Sequence, residues 1–190
     1  NEMPQDLVQK AQPIIGRAHM NATGARPSGD RIVIAGILAK NLLFIGDKAG
    51  FENIIKLIES EVRFSTGQRG MQHDYSFHHR EDRVNNTTSY GYGKYANTFG
   101  EWAYYVAGTT YAFSVEKINH LVDYYLDGIY KQMVYGIYID ISVKNRDITR
   151  KSTFAPGGLL EIERLLLSTD YRKNELEEII RLRKGEAAPS

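Results

Sequence analysis

Three of the chain's five histidines stand close together, at His73, His78 and His79. Four charged residues follow at once, Arg80-Glu81-Asp82-Arg83, and then Asn85-Asn86-Thr87-Thr88-Ser89-Tyr90-Gly91. Histidine moves protons near neutral pH, and arginine and asparagine donate hydrogen bonds to an anion. Tyrosine can give or take a proton once positive charge lies nearby. Together these types suit a reaction in which an anion is neutralised while a proton is shuttled. The stretch from Gly70 to Tyr90 is too polar for a core element, and shows neither strand nor helix periodicity. It reads as a loop over residues 65–88, and long polar loops on a regular scaffold are where sites concentrate. A metal cluster of His73, Asp74, His78, His79, Glu81 and Asp82 is a weaker reading, because the spacing fits no ligand motif.

The elements that must position this loop are helical. Residues 4–18 carry Leu7, Val8, Ala11, Ile14 and Ile15 on one face, with Pro13 expected to kink or shorten the helix. Residues 19–31 hold two glycines and a proline and read as a connection. An apolar helix is expected over 30–46, closed by Gly46, and another over 50–64 with Ile54, Ile55, Leu57, Ile58 and Val62 inward. Past the loop, residues 89–108 form an aromatic-rich helix whose Gly91, Gly93 and Gly100 imply close packing or a close ligand. Trp102 on that helix reads as core. Ser114 is placed to cap a helix from 115 to about 133. Residues 136–150 alternate in part and are expected to run extended. Helices near 156–168 and 171–184 finish the chain. The fold class is all-α, a stack of antiparallel helical hairpins in one domain over 1–190.

Composition narrows the function classes. A net charge of +1 selects neither nucleic acid nor an anionic membrane. With no cysteine, disulfides, zinc–thiolate sites and thiol nucleophiles are excluded. No apolar run is long enough to span a membrane. The start, Asn1-Glu2-Met3-Pro4, is polar, carries no signal peptide, and reads as the edge of a piece from a longer parent chain. Thirteen tyrosines against one tryptophan would suit sugar rings, although packing between helices explains most of them equally well.

Several blocks resemble polysaccharide lyase family 8, the chondroitin AC lyase and hyaluronate lyase group. Asp74-Tyr75-Ser76-Phe77, the following histidine, and Ser89-Tyr90-Gly91 are similar to the family's catalytic loop. Tyr138-Ile139-Asp140 leads into Asn145-Arg146-Asp147-Ile148-Thr149-Arg150, which resembles its paired-arginine motif. Thr23-Gly24-Ala25 resembles the segment carrying its catalytic asparagine, but Arg26-Pro27 follows here. The histidine-to-tyrosine spacing is also longer than in the family.

The resemblance implies an incomplete α/α toroid without the family's β-sandwich domains. It implies a secreted or periplasmic enzyme that cleaves an anionic, uronic-acid-containing polysaccharide by β-elimination, with no cofactor and no metal. Tyr90 would be base and then acid, with His79 and Arg146 in the catalytic group. Arg150, Asn85, Asn86, His78 and Arg26 would contact substrate; Asn85, Asn86 or Arg26 would stand in for the missing asparagine, and His78 is the alternative to His79. Two other functions compete. One is a non-catalytic glycan-binding helical module. The other is an α/α-barrel hydrolase of unsaturated uronyl sugars, for which Asp74 and Asp140 are the only carboxylate pair on offer.

Overall fold

The computed structural model describes residues 3–21, 25–26, 28–66, 69–80, 85, 87–144 and 148–189, without the side chains of 88 and 89. The described residues are mostly helical. Helix α1 (Gln5–Ile15) ends two residues after Pro13 and buries none of its side chains. Helix α2 (Gly29–Ile45) is apolar on every side: Ile32, Ala35 and Ala39 are buried, while Ile37, Leu43, Phe44 and Ile45 face outward. It stops at Gly46, whose left-handed backbone (φ 76°) lets Asp47 N–H reach the Leu42 carbonyl and Gly46 N–H the Leu43 carbonyl. This glycine closure satisfies two carbonyls of the last turn. Asp47 then caps α3 (Lys48–Ser60) by accepting from Gly50 N–H at 2.9 Å. One short turn therefore ends one helix and starts the next, and the two pair as a hairpin.

The stretch expected as pure loop contains a small antiparallel hairpin, β1 (Gly70–Met71) against β2 (Phe77–His78), with Gly70 opposite His78 and Met71 opposite Phe77. The period of two sends Phe77 into the core and leaves His78 half-buried on the other face. Phe77 sits between Tyr95 and Tyr124, at ring centroid distances of 5.2 and 6.4 Å. Truncating such a ring costs about 3–5 kcal/mol, so it anchors the polar segment to the scaffold.

The aromatic helix expected over 89–108 divides in two. Thr87–Ala96 is π-helical and α4 (Asn97–Val106) is α-helical. The wider turn accommodates Tyr90 and Tyr95, both buried, on either side of Gly91. A Cβ at Gly91 would collide with the Tyr124 hydroxyl and lie 2.8 Å from Phe77 Cβ. Close packing explains this glycine; Gly100, by contrast, has open space around it. Trp102 is core. The helix expected over 115–133 also changes character, running as α5 (Val115–Asp123), a π-helical turn Tyr124–Ile129 and a 3-10 turn Tyr130–Gln132. Tyr124, Tyr125 and Leu126 are consecutive and all buried, which a regular amphipathic α-helix does not favour.

Residues 136–150 are not one extended run. Among the described residues there only β3 (Met133–Val134) and β4 (Tyr138–Ile139) pair, and a 3-10 turn at Ile141–Val143 follows, capped by Asp140. Helices α6 (Leu160–Leu166) and α7 (Lys173–Arg183) close the structure through Ile162, Leu165, Leu176 and Ile179. Among the described residues no helix is long and apolar enough to cross a membrane.

Candidate functional site

The end of β2, the start of α2 and the π-helical stretch meet at one place. His79 follows β2 directly and stacks on Tyr90, with ring centroids 3.3 Å apart and planes 14° from parallel. Lys94 is one turn beyond Tyr90, and its ammonium lies 4.4 Å from the Tyr90 ring centroid. Asp30, in the first turn of α2, faces both: its carboxylate is 3.4 Å from Lys94 Nζ and 3.9 Å from His79 Nε2. The fit of α2 against this stretch is close, because a Cβ at Gly29 would sit 3.5 Å from the Tyr90 carbonyl.

Burial pushes the His79 pKa down, and Arg69, Lys94 and Arg80 push the same way against the upward pull of Asp30. The imidazole is therefore neutral at neutral pH, with a lone pair able to accept a proton and an N–H able to donate to an anion. Tyr90 is largely buried. Its ring neighbours are the stacked His79 imidazole and the Lys94 ammonium.

His78 points elsewhere. Its Nε2 is 3.5 Å from Ser76 Oγ, and its buried Nδ1 has no hydrogen-bond partner among the described residues. Asn85 fastens the loop: its side-chain oxygen accepts from Thr87 N–H at 3.1 Å and Thr87 Oγ1 at 2.6 Å. Arg150 is exposed in a turn, where its carbonyl accepts from Thr153. Arg146 and Asn86 lie outside the described residues, as do Thr23 and Gly24. Asp74 and Asp140 each serve a local turn, Asp74 accepting from Ser76 and Asp140 from Ser142. Hydrogen bonds from Ser76 hold the Asp74 carboxyl below its usual range.

Arg26 lines a cleft of about 650 Å³ between the start of α2 and residues 61–66 and 69–70. That volume falls in the range of small-molecule sites, roughly 300–1,000 Å³. Arg63 and Arg69 share its wall with Ser28, Gly70 and Tyr95. Asp30 and Lys94 beside the stacked pair, and Arg63 and Arg69 in the cleft, are absent from the sequence-based candidates. Lys94 at four residues from Tyr90 was a readable signal; Asp30 and the cleft arginines depend on contacts distant in sequence.

The sequence profile of the N-terminal alpha-helical domain of polysaccharide lyase family 8 matches residues 8–185. Chondroitinase-AC of Pedobacter heparinus is 31% identical over 108 residues, a match covering 57% of this chain and 15% of that protein. A solved chondroitinase AC lyase, described with its oligosaccharide complexes, superposes on the whole chain with a TM-score of 0.83 at 26% identity. The chain spans 27% of the length of that structure.

Proposed function

Since the chain belongs to polysaccharide lyase family 8 and corresponds to its N-terminal α-helical domain, we propose that it carries part of the active site of a uronic-acid polysaccharide lyase. The substrate class is a glycosaminoglycan such as chondroitin or hyaluronan. The observation that carries this reading is the stack of neutral His79 on Tyr90, beside Lys94. The two rings come from segments that resemble the family's catalytic loop.

In this reading the reaction is a β-elimination. The C5 proton of the uronate passes to Tyr90 Oη, and the C5–H electron pair moves toward the carboxylate. A C4–C5 double bond forms as the C4–O4 bond breaks, and Tyr90 returns the proton to the leaving O4. The C5–H is a weak acid until the carboxylate is neutralised, so donors aimed at that carboxylate supply most of the rate. His79 donates to it through its N–H. Arg26, which lines the adjoining cleft, takes the place of the family's asparagine. Lys94 lies over the face of the Tyr90 ring, Arg146 joins the catalytic group by its resemblance to the family's paired arginines, and Arg150 contacts a sugar anion. His78, on the other side of β2, supports the loop.

The test is ultraviolet absorbance from the unsaturated product when the full-length protein meets a panel of glycosaminoglycans. New absorbance with chondroitin or hyaluronan, absent in Tyr90→Phe, supports the lyase. Arg26-Pro27 in place of the asparagine is the one observation favouring a glycan-binding module instead, and polymer binding without new absorbance would select it. The hydrolase reading loses ground because Asp74 and Asp140 are both engaged in their own turns.

A further inference from the structure

Asp30 ties together the two groups that contact the Tyr90 ring. Its Oδ1 is 3.4 Å from Lys94 Nζ, and its Oδ2 is 3.9 Å from His79 Nε2. Lys94 lies over that ring and His79 stacks on it. Lys94 stands 64 positions further along the chain, so the fold and not local spacing makes this meeting. A first-turn acid also suits a helix N-terminus, but that role asks for no side-chain partner. The backbone around Asp30 is held from both sides by one buried carboxylate. Glu61 accepts from Ser28 N–H at 2.7 Å and from the Arg31 guanidinium at 3.0 Å. Gly29 brings the same turn close to the π-helical stretch, since a Cβ there would lie 3.6 Å from Lys94 Cβ. The Asp30 side chain is 24% exposed and that of His79 16%, so solvent screens the pair only in part.

Nε2 of His79 faces Asp30, which leaves Nδ1 for the uronate. A neutral imidazole carries one N–H. Across 3.9 Å, too long for a hydrogen bond, Asp30 acts on the ring through its charge. With a uronate on the far nitrogen, two carboxylates flank the ring, and only the imidazolium donates to both. We propose that Asp30 is a positioning residue that holds His79 through Nε2 and, with the uronate on Nδ1, makes the ring take up a proton as substrate binds. The proposal rests on the uronate reading above. The proton comes from solvent and bonds to the Nδ1 lone pair, and no bond of the sugar breaks at this step. In the empty site, burial and the charges of Arg69, Lys94 and Arg80 hold the His79 pKa down against the pull of Asp30. The uronate adds a second pull in the same direction as Asp30. Lys94 offsets the Asp30 charge, which would otherwise repel an anionic polymer.

The test is calorimetric binding of a chondroitin oligosaccharide to the full-length protein as Tyr90→Phe, at pH 7.5 in Tris and in HEPES. The buffers differ in ionisation heat, so the difference in binding heat counts the protons taken up. Net uptake is expected, and His79→Gln in the same background should abolish it. Asp30→Asn should remove most of it and hold the melting temperature, because the amide fills the same space. Asp30→Glu should restore it. A mere tie between α2 and the π-helical stretch would move stability and leave the proton count alone. In the protein that keeps Tyr90, Asp30→Asn should lower kcat about tenfold, as loss of a positioning contact does, and Asp30→Glu should recover the larger part. No uptake in the Tyr90→Phe protein overturns the proposal, and so does uptake that persists in Asp30→Asn. The two readings fail separately. Uptake that depends on Asp30, without unsaturated product from the protein that keeps Tyr90, sinks the lyase and keeps the role of Asp30. Unsaturated product without uptake does the reverse.

Discussion

Two arginine clusters in this molecule stand in different surroundings. Arg172 sits at the start of α7, and its guanidinium meets Asp123 at 2.9 Å, Asp127 at 2.6 Å and Glu175 at 2.7 Å. Asp127 is further bound by Lys131 at 2.9 Å. These pairs tie α7 to α5 and its π-helical turn across nearly fifty residues of sequence, and Arg172 holds a left-handed backbone (φ 51°) to do so. In the cleft lined by Arg26, Arg63 and Arg69, Glu61 is the one carboxylate among the described lining residues, and it is engaged by Arg31. A saturated arginine is a staple of the fold. Arg26 and Arg63, which have no acidic partner among the described residues, stand beside a neutral histidine and a tyrosine and invite an anion. The first cluster should matter for stability and not for substrate, and the second the reverse.

The largest expected effect tests the functional side. On the proposed lyase reading, Tyr90→Phe in the full-length protein should lower turnover by about 10²–10⁴-fold, the usual worth of a proton-transfer group. Oligosaccharide affinity and melting temperature should stay nearly unchanged. A large fall in melting temperature instead would make Tyr90 a structural residue like Arg172.

Next in size is the staple. Arg172→Ala should cost about 2–3 kcal/mol, because it leaves Asp123 and Asp127 without their main counter-charge in a partly buried setting. For a chain of this length that is a fall of about 4–12 °C in thermal melting. Polysaccharide affinity should not move; if it does, the two regions are coupled and the contrast between them fails.

A smaller effect appears in acid. Hydrogen bonds from Arg172 hold the Asp127 carboxyl down at about 2, against an ordinary value of about 3.9. A depressed folded-state value stabilises the fold above the ordinary range, and that stability is lost as pH falls through it toward 2. The expected loss is about 1–2 kcal/mol after solvent screening. Urea titrations at pH 5 and pH 2.5 should show it in the natural chain, and Asp127→Asn should flatten the difference. An unchanged pH dependence in that variant would place the acid sensitivity elsewhere.

The smallest effect on stability concerns the outward apolar side of α2. Phe44→Ser should leave stability within about 0.5 kcal/mol, as surface substitutions do, because the ring is 62% exposed. It should nonetheless reduce self-association of the 190-residue piece in sedimentation, since exposed apolar patches mark interaction surfaces. No association in the unsubstituted piece would remove the reason for that apolar side.

The all-α class, the hairpin of α2 and α3 and the Gly46 stop were legible because they rest on local signals: helical periodicity and a terminal glycine. Ser114 does stand immediately before α5 in an extended conformation, yet its side chain makes no cap bond and its N–H instead donates to Glu59. The π-helical stretches were not legible, since their width answers to Phe77, Tyr95 and Tyr124 packing from other segments. The extended run expected over 136–150 relied on alternating isoleucines, and among its described residues only Tyr138 and Ile139 found a partner strand. At the candidate site, His79 and Tyr90 could be singled out by type and resemblance. Their mutual stacking, the Asp30–Lys94 pair beside them and the cleft arginines arise from long-range packing. Arg146 and Asn86 fall outside the described residues.

The π-helical stretch Thr87–Ala96 makes chain length itself a positioning device. A π turn is a helix carrying a surplus residue, its bonds running from i to i+5. Losing one residue between Gly91 and Lys94 would let the stretch relax to the tighter α repeat. Each α-helical residue turns the chain by about 100° and advances it by about 1.5 Å, so Tyr90 would swing by that angle relative to Tyr95 and leave the face of His79. Drift in this segment is thereby constrained more by count than by composition: a substitution alters one side chain, whereas a single-codon deletion would re-aim every residue before it.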